Sequence, residues 1–158
     1  MAVDTYIQFD GVEDESKADG HEKWSDILAW SWSASNAGQV TGGGSGKGKA
    51  DMGPLSFTKL YSKSSTVFAK KLTSGMHFDK VELHSRKSGD GQQTFHTIVF
   101  KEAFIDSISV SCSSGGEMME NITMSYGFIE HAYKPQDAKG GLGGEVKASY
   151  DLKTTKTA

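Results

Sequence analysis

Residues 107–112 read Ser-Ile-Ser-Val-Ser-Cys, a strict alternation of hydroxyl and apolar side chains. Ile122, Met124, Tyr126 and Phe128 repeat the same two-residue period. Extended chain turns successive side chains to opposite faces, so this spacing calls for strands with one apolar face. Ile108, Val110 and Cys112 are placed on the core side, with Ser107, Ser109 and Ser111 on a hydroxyl-lined outer face. The same period predicts a first strand around Tyr6, Ile7 and Phe9. A second covers 24–34, with Leu28, Trp30 and Trp32 on one face and Ser31 and Ser33 on the other.

Further strands are expected at Leu55, Phe57 and Leu60, at Phe78, Val81 and Leu83, and across 94–104, which is rich in β-branched and aromatic types. Val146, Ala148, Tyr150 and Leu152 mark a last one. Between 64 and 75 the rhythm changes. A hydroxyl residue at the N-cap precedes Val67, Phe68 and Leu72, and Lys70 and Lys71 lie near the end, which predicts one short helix. Phe68 and Leu72, four residues apart, share a face that can close one end of a barrel.

Ser88-Gly89-Asp90-Gly91 and Gly115-Gly116 supply turn chemistry between strands. The expected fold is mainly β, a small barrel or sandwich of antiparallel strands with one short helix attached. A chain of 158 residues fits a single domain, 1–158, with one core. Two connections exceed tight turns: a glycine-rich loop at about 36–54, and 138–144 with Gly140-Gly141-Leu142-Gly143-Gly144.

Seventeen basic and 20 acidic side chains are mixed along the chain for a net charge of −3, a pattern unsuited to nucleic acid or anionic membrane. The single cysteine, Cys112, cannot form an intramolecular disulfide, which favours folding in the cytosol. The first ten residues lack the basic and apolar regions of a cleaved signal peptide. No window reaches the ~18 apolar residues of a membrane helix.

Gly43-Gly44-Ser45-Gly46-Lys47-Gly48-Lys49 matches the glycine and lysine spacing of a phosphate-binding loop. The match stops at Ala50, where a hydroxyl residue would hold magnesium, so a weakly basic loop is the better reading. His77 and His84 are an odd number of residues apart, and His96 alternates with core residues, so no metal ligand set is formed. Cys112 is assigned to packing, not nucleophilic chemistry. Glu13, Asp14 and Glu15 are assigned to a solvated loop. No catalytic or metal residue and no cofactor is expected. The rival readings are a carbohydrate-binding β-sandwich using Trp24, Trp30 and Trp32, and a small hydrolase using a histidine with Cys112.

Several stretches taken in order resemble the Hcp family of the bacterial type VI secretion apparatus. They are Met1-Ala2-Val3-Asp4, Gly20-His21, Leu28-Ala29-Trp30-Ser31-Trp32-Ser33, Leu55-Ser56-Phe57-Thr58-Lys59, Lys101-Glu102, Ser114-Gly115-Gly116-Glu117 and Glu120-Asn121-Ile122-Thr123. The resemblance covers nearly the whole chain. It departs at Gly11-Val12-Glu13-Asp14-Glu15-Ser16, where members often carry Gly-Glu-Ser.

The resemblance implies a β-barrel of two packed antiparallel sheets with one helix. It also implies six copies closing into a ring, and rings stacking into a hollow tube that a contractile sheath drives outward. Its expected partners are further copies of itself, the sheath, a spike protein and effector proteins, with no nucleic acid and no membrane insertion. Its expected location is the bacterial cytoplasm before firing and the exterior or a target cell after it. The loop Gly43, Gly44, Ser45, Gly46, Lys47, Gly48 and Lys49 is expected at the ring-stacking or subunit interface. Ser31, Ser33, Ser107, Ser109 and Ser114 are the candidate channel-facing residues.

Overall fold

The structure, a computed structural model, describes residues 2–36, 50–88 and 92–158. In chain order these form β1 (Val3–Phe9), β2 (Ser25–Ile27), β3 (Ala29–Ser31), β4 (Ala34–Ser35), β5 (Asp51–Met52) and β6 (Leu55–Leu60). Then follow α1 (Ser65–Ser74), β7 (Phe78–Lys87), β8 (Thr94–Ser111), β9 (Met119–Tyr133), β10 (Val146–Asp151) and β11 (Lys156–Thr157). The fold is mainly β with one short helix, as the alternation predicts.

All pairings are antiparallel, and nine strands form one sheet, seven of them in the order β11-β10-β9-β8-β7-β1-β2 with β6 and β3 branching from it. Along one edge of β9, Met119–Met124 pairs with β6, while 128–133 pairs with β10. β6 in turn pairs with β3. β2 and β3 therefore stand at opposite ends of the hydrogen-bonded path although they are consecutive in the chain. The chain bends at Leu28, whose N–H donates to Thr58 O at 2.8 Å, and this bend carries the sheet round the core. β4 and β5 form a separate two-stranded ribbon.

The inward face is packed with Ile7, Phe9, Leu55, Phe57, Val81, Leu83, Ile98, Phe100, Ile122, Met124 and Ile129. From α1, Phe68 is fully buried and closes one end. Its ring lies 4.6 Å from Phe9, whose ring is 4.8 Å from that of Phe78. The helix ends at Gly75, which takes the left-handed conformation (φ 67°) and returns its N–H to Leu72 O at 3.3 Å. Ser64 holds the N-cap position, but its hydroxyl makes no capping bond and donates instead to Asp14 Oδ2 at 2.5 Å.

The single strand expected over 24–34 is three short ones. Because the bend at Leu28 changes the pairing partner, Ile27 is buried and Leu28 is exposed, while Trp30 and Trp32 still pack on the core. Stretches 94–104 and 107–111 belong to one strand, β8, with a register shift between Ile105 and Ser107, and Cys112 follows its end. That bulge lets apolar residues on both sides of it face inward. Past the bulge the strand outruns the core, so Val110 and Cys112 are exposed and Cys112 does not pack as a small hydrophobe.

In β6 the inward sequence is Leu55, Phe57 and Lys59, which leaves Leu60 exposed. Asp14, expected in a solvated loop, is buried. The second glycine-rich connection is a short ordered turn in which Asp137 Oδ1 accepts from Gly141 N at 2.7 Å.

Candidate functional site

The outward face of strands β3, β6, β9 and β8 carries a cross-strand row of hydroxyls. Ser31 lies opposite Ser56, Ser56 opposite Thr123, and Thr123 opposite Ser107. Partners directly opposite share a face, so these four side chains run across four adjacent strands, roughly 14 Å at the usual strand spacing. The next row is Ala29, Thr58, Asn121 and Ser109, with Thr58 Oγ1 donating to Asn121 Oδ1 at 2.5 Å. On the reverse side, Trp30, Phe57, Ile122 and Ile108 occupy matching positions and pack into the core.

Two rows of small uncharged polar groups thus cover a shallow groove floored by Ser56, Thr58, Asn121 and Thr123. Exposed sheet faces ordinarily carry long charged side chains, and these rows carry none. At the margin, Asp106 accepts a hydrogen bond from Ser125 Oγ at 3.0 Å. The chemistry on offer is weak, reversible hydrogen bonding with little bulk and no fixed charge. Nothing in the two rows combines a nucleophile with a general base.

Ser31, Ser107 and Ser109 sit on this face together. Ser33 follows β3, is exposed, and gives its carbonyl to Gly53 N at 2.8 Å. Ser114 is exposed in the turn between β8 and β9 and joins neither row. Gly43, Gly44, Ser45, Gly46, Lys47, Gly48 and Lys49 lie outside the described residues. Ser56, Thr58, Asn121 and Thr123 are not among the channel-facing candidates named from the sequence, although their alternation with Leu55, Phe57, Ile122 and Met124 is the available signal.

None of the three tryptophans is exposed, which removes the flat open platform a sugar would stack on. Trp30 stacks on His96 with centroids 5.7 Å apart, and Trp32 packs on His131 at 4.7 Å. Burial pushes both imidazoles below their usual pKa, with the charge of His131 adding to the effect on His96. Trp24 lies against His84, 4.5 Å between centroids. Among the described residues, no three His, Cys, Asp or Glu side chains are placed to hold a metal ion. No helix there is long and apolar enough to cross a membrane.

Residues 6–133 match the family described as "Type VI secretion system effector, Hcp". Protein hcp1 of Pseudomonas aeruginosa is 38% identical over 97% of both chains. Among solved structures, one described as a type six secretion system protein superposes with a TM-score of 0.94 at 31% identity, covering 99% of this chain and 100% of the other. Hcp1 from Salmonella typhimurium gives 0.80 at 25% identity, with 100% of both chains covered. The sequence stretches, the helix-capped antiparallel fold and these matches agree: the chain belongs to the Hcp family of type VI secretion tube proteins.

Proposed function

We propose that this chain is a non-enzymatic tube subunit that closes into hexameric rings. The face bearing Ser31, Ser56, Thr58, Asn121, Thr123, Ser107 and Ser109 lines the channel, where it holds effectors weakly and lets them pass. The observation that carries this reading is the uncharged hydroxyl ladder across four strands, exposed on the side opposite the core. Small hydroxyls can each make one or two hydrogen bonds to a passing peptide, and without a desolvated charge none of these bonds is strong.

A cyclic ring requires two different patches that meet with a rotation that closes. Stacking of rings falls, in this reading, to the loop Gly43, Gly44, Ser45, Gly46, Lys47, Gly48 and Lys49. Its partners are the sheath, the spike and effector proteins, and the subunit waits in the cytoplasm and leaves with the tube. Replacement of Ser31 or Ser107 by Gln should leave ring assembly unchanged and reduce effector retention and export. Unchanged export in both variants would refute the channel role. Removal of residues 43–49 should leave folded rings that no longer form tubes.

A further inference from the structure

Segment 11–24, which joins β1 to β2, contains no strand and lies over the outer side of the β1–β7 pair. Tyr6 is buried beneath it while its neighbour Ile7 is buried in the core on the other face. His21 anchors the segment. Its ring is 5% exposed, stacks on Tyr6 at 4.6 Å and 13°, and meets Trp24 edge-on at 4.8 Å. Beside it, Arg86 donates from Nη1 to Asp19 O at 2.6 Å and from Nη2 to Tyr6 Oη at 3.2 Å. The lower end is tied by Asp14, which accepts from Ser62 Oγ at 3.0 Å and Ser64 Oγ at 2.5 Å.

A chain of polar contacts runs from β7 into the segment. Lys80 Nζ is 2.6 Å from Glu82 Oε1, Glu82 Oε2 is 3.0 Å from His84 Nε2, and His84 Nδ1 is 3.0 Å from His21 Nε2. An ionised carboxylate only accepts, so His84 donates from Nε2 and its Nδ1 accepts. His21 must then donate from Nε2, which leaves Nδ1 without a proton. That nitrogen is buried and has no hydrogen-bond partner among the described residues. This arrangement is the one in which both rings are neutral. A second proton on His21 would sit on a nitrogen with no acceptor, and one on His84 would turn its Nδ1 into a donor, so that His21 could accept only by moving its own proton to that same partnerless nitrogen.

From this geometry we infer that the His21–His84 hydrogen bond is an acid-sensitive latch, holding segment 11–24 over β1 and β7 and letting it lift when either ring takes a second proton.

Burial favours the neutral pair, and the nearby charges act in both directions. Burial first, then the charges of His84 and Arg86, lower His21 from 6.5 to about 4, against a smaller opposite effect of Glu22. Burial also lowers His84, against Glu82 and together with Lys80. The groups around the pair are Tyr6 from β1, Asp26 opposite it on β2, and Lys80, Glu82 and Arg86 from β7. Lys101 lies opposite Lys80 on β8, and Asp10 acts on Lys80. A lifted segment takes its proton at the ordinary imidazole value, whereas the closed one takes it only near 4. Between these limits the open population gains about tenfold for each pH unit of acidification per proton taken up.

Hydrogen exchange at the amides of Ser16, His21, Lys23 and Trp24, whose acceptors lie within the segment, reads in the full chain the loosening that follows once it lifts, after correction for intrinsic rate. The expected result is a steep rise in opening from pH 6.5 to about 4 while β8 and β9 amides stay protected. In His21→Phe, which keeps a ring on Tyr6 but carries no proton, the rise should flatten by about a factor of ten per pH unit. Opening that does not change over this window, or that coincides with exchange of β8 and β9, overturns the latch. If His21→Phe fails to fold, NMR titration of the His21 ring in the unaltered protein decides. A midpoint near 4 supports the latch, and one near 6.5 overturns it.

Discussion

Lys59 and Glu120 face each other across the β6–β9 ladder, with Nζ 3.0 Å from Oε1 and each residue only 1% exposed. Leu60 O, Ser62 Oγ and Ser65 Oγ also lie around the ammonium, at 2.9, 2.7 and 3.2 Å, so its three protons are shared among four acceptors. Asp14 Oδ2 stands 4.0 Å away. Two acidic groups and one base thus join the segment after β1, the start of α1 and the start of β9.

A buried pair of this kind is costly to break from one side. Lys59→Met should destabilise the protein by about 3–5 kcal/mol, because Glu120 stays buried without its partner. The double variant Lys59→Met/Glu120→Leu should recover at least half of the loss. Denaturant titration of the three proteins checks both statements, and equal losses in single and double variants would count against the pairing.

Asp14 gives the network a pH dependence. Burial alone would raise its pKa, but hydrogen bonds from Ser25, Ser64 and Ser62 and the charge of Lys59 outweigh it and hold the carboxyl below its usual value. A carboxylate lowered on folding contributes stability above its unfolded pKa and loses it as pH falls through the folded one. Asp14→Asn should therefore lower the thermal midpoint at neutral pH and flatten its decline below about pH 4, where the unfolded carboxyl titrates. Parallel curves for the two proteins would contradict this role.

Phe68 is the plug that α1 inserts between Phe9, Phe57 and Phe78. Phe68→Ala removes that ring from a fully packed site and should cost about 3–5 kcal/mol, with Phe68→Leu costing less. Both values are read from chemical unfolding. A loss under about 1 kcal/mol for the alanine variant would mean that the helix does not close the core.

Tyr126 links the core to the root of the 36–54 loop. Its hydroxyl accepts from Trp32 Nε1 at 2.5 Å and donates to Gly53 O at 2.7 Å. Gly53 lies so close to Ser33 that a Cβ there would collide with the Ser33 carbonyl. Tyr126→Phe should leave the indole N–H and the Gly53 carbonyl unpaired, cost about 1–3 kcal/mol, and speed amide exchange in 33–36 and 50–53 before the rest of the sheet. Uniform exchange in both proteins would exclude that coupling.

Much of this architecture was legible as a two-residue period. Ile122, Met124 and Tyr126 point inward as read, whereas Phe128 yields its core place to Ile129, and Phe68 and Gly75 stand where the helix signals put them. The failures share a cause: a pattern cannot see a partner distant in sequence. Leu60, not Lys59, is read with Leu55 and Phe57 until Glu120, 61 residues after the lysine, is brought against it. Asp14 reads as solvated until α1 presents Ser64. Leu28 lost its inward place because the strand bends there to change neighbours, a tertiary event with no local mark. In the candidate site, Ser31, Ser107 and Ser109 were legible as outward-facing hydroxyls. Their alignment through Ser56, Thr58, Thr123 and Asn121 depends on strand order, which alternation does not encode.

The central claim is that this chain forms a ring with a channel. Light scattering after size exclusion, with negative-stain images of the same peak, tests it most directly. A particle of about six 17.0 kDa chains with a visible central hole is the predicted result for a closed cyclic assembly. A 17.0 kDa monomer at every concentration, with no hole in any particle, would contradict it.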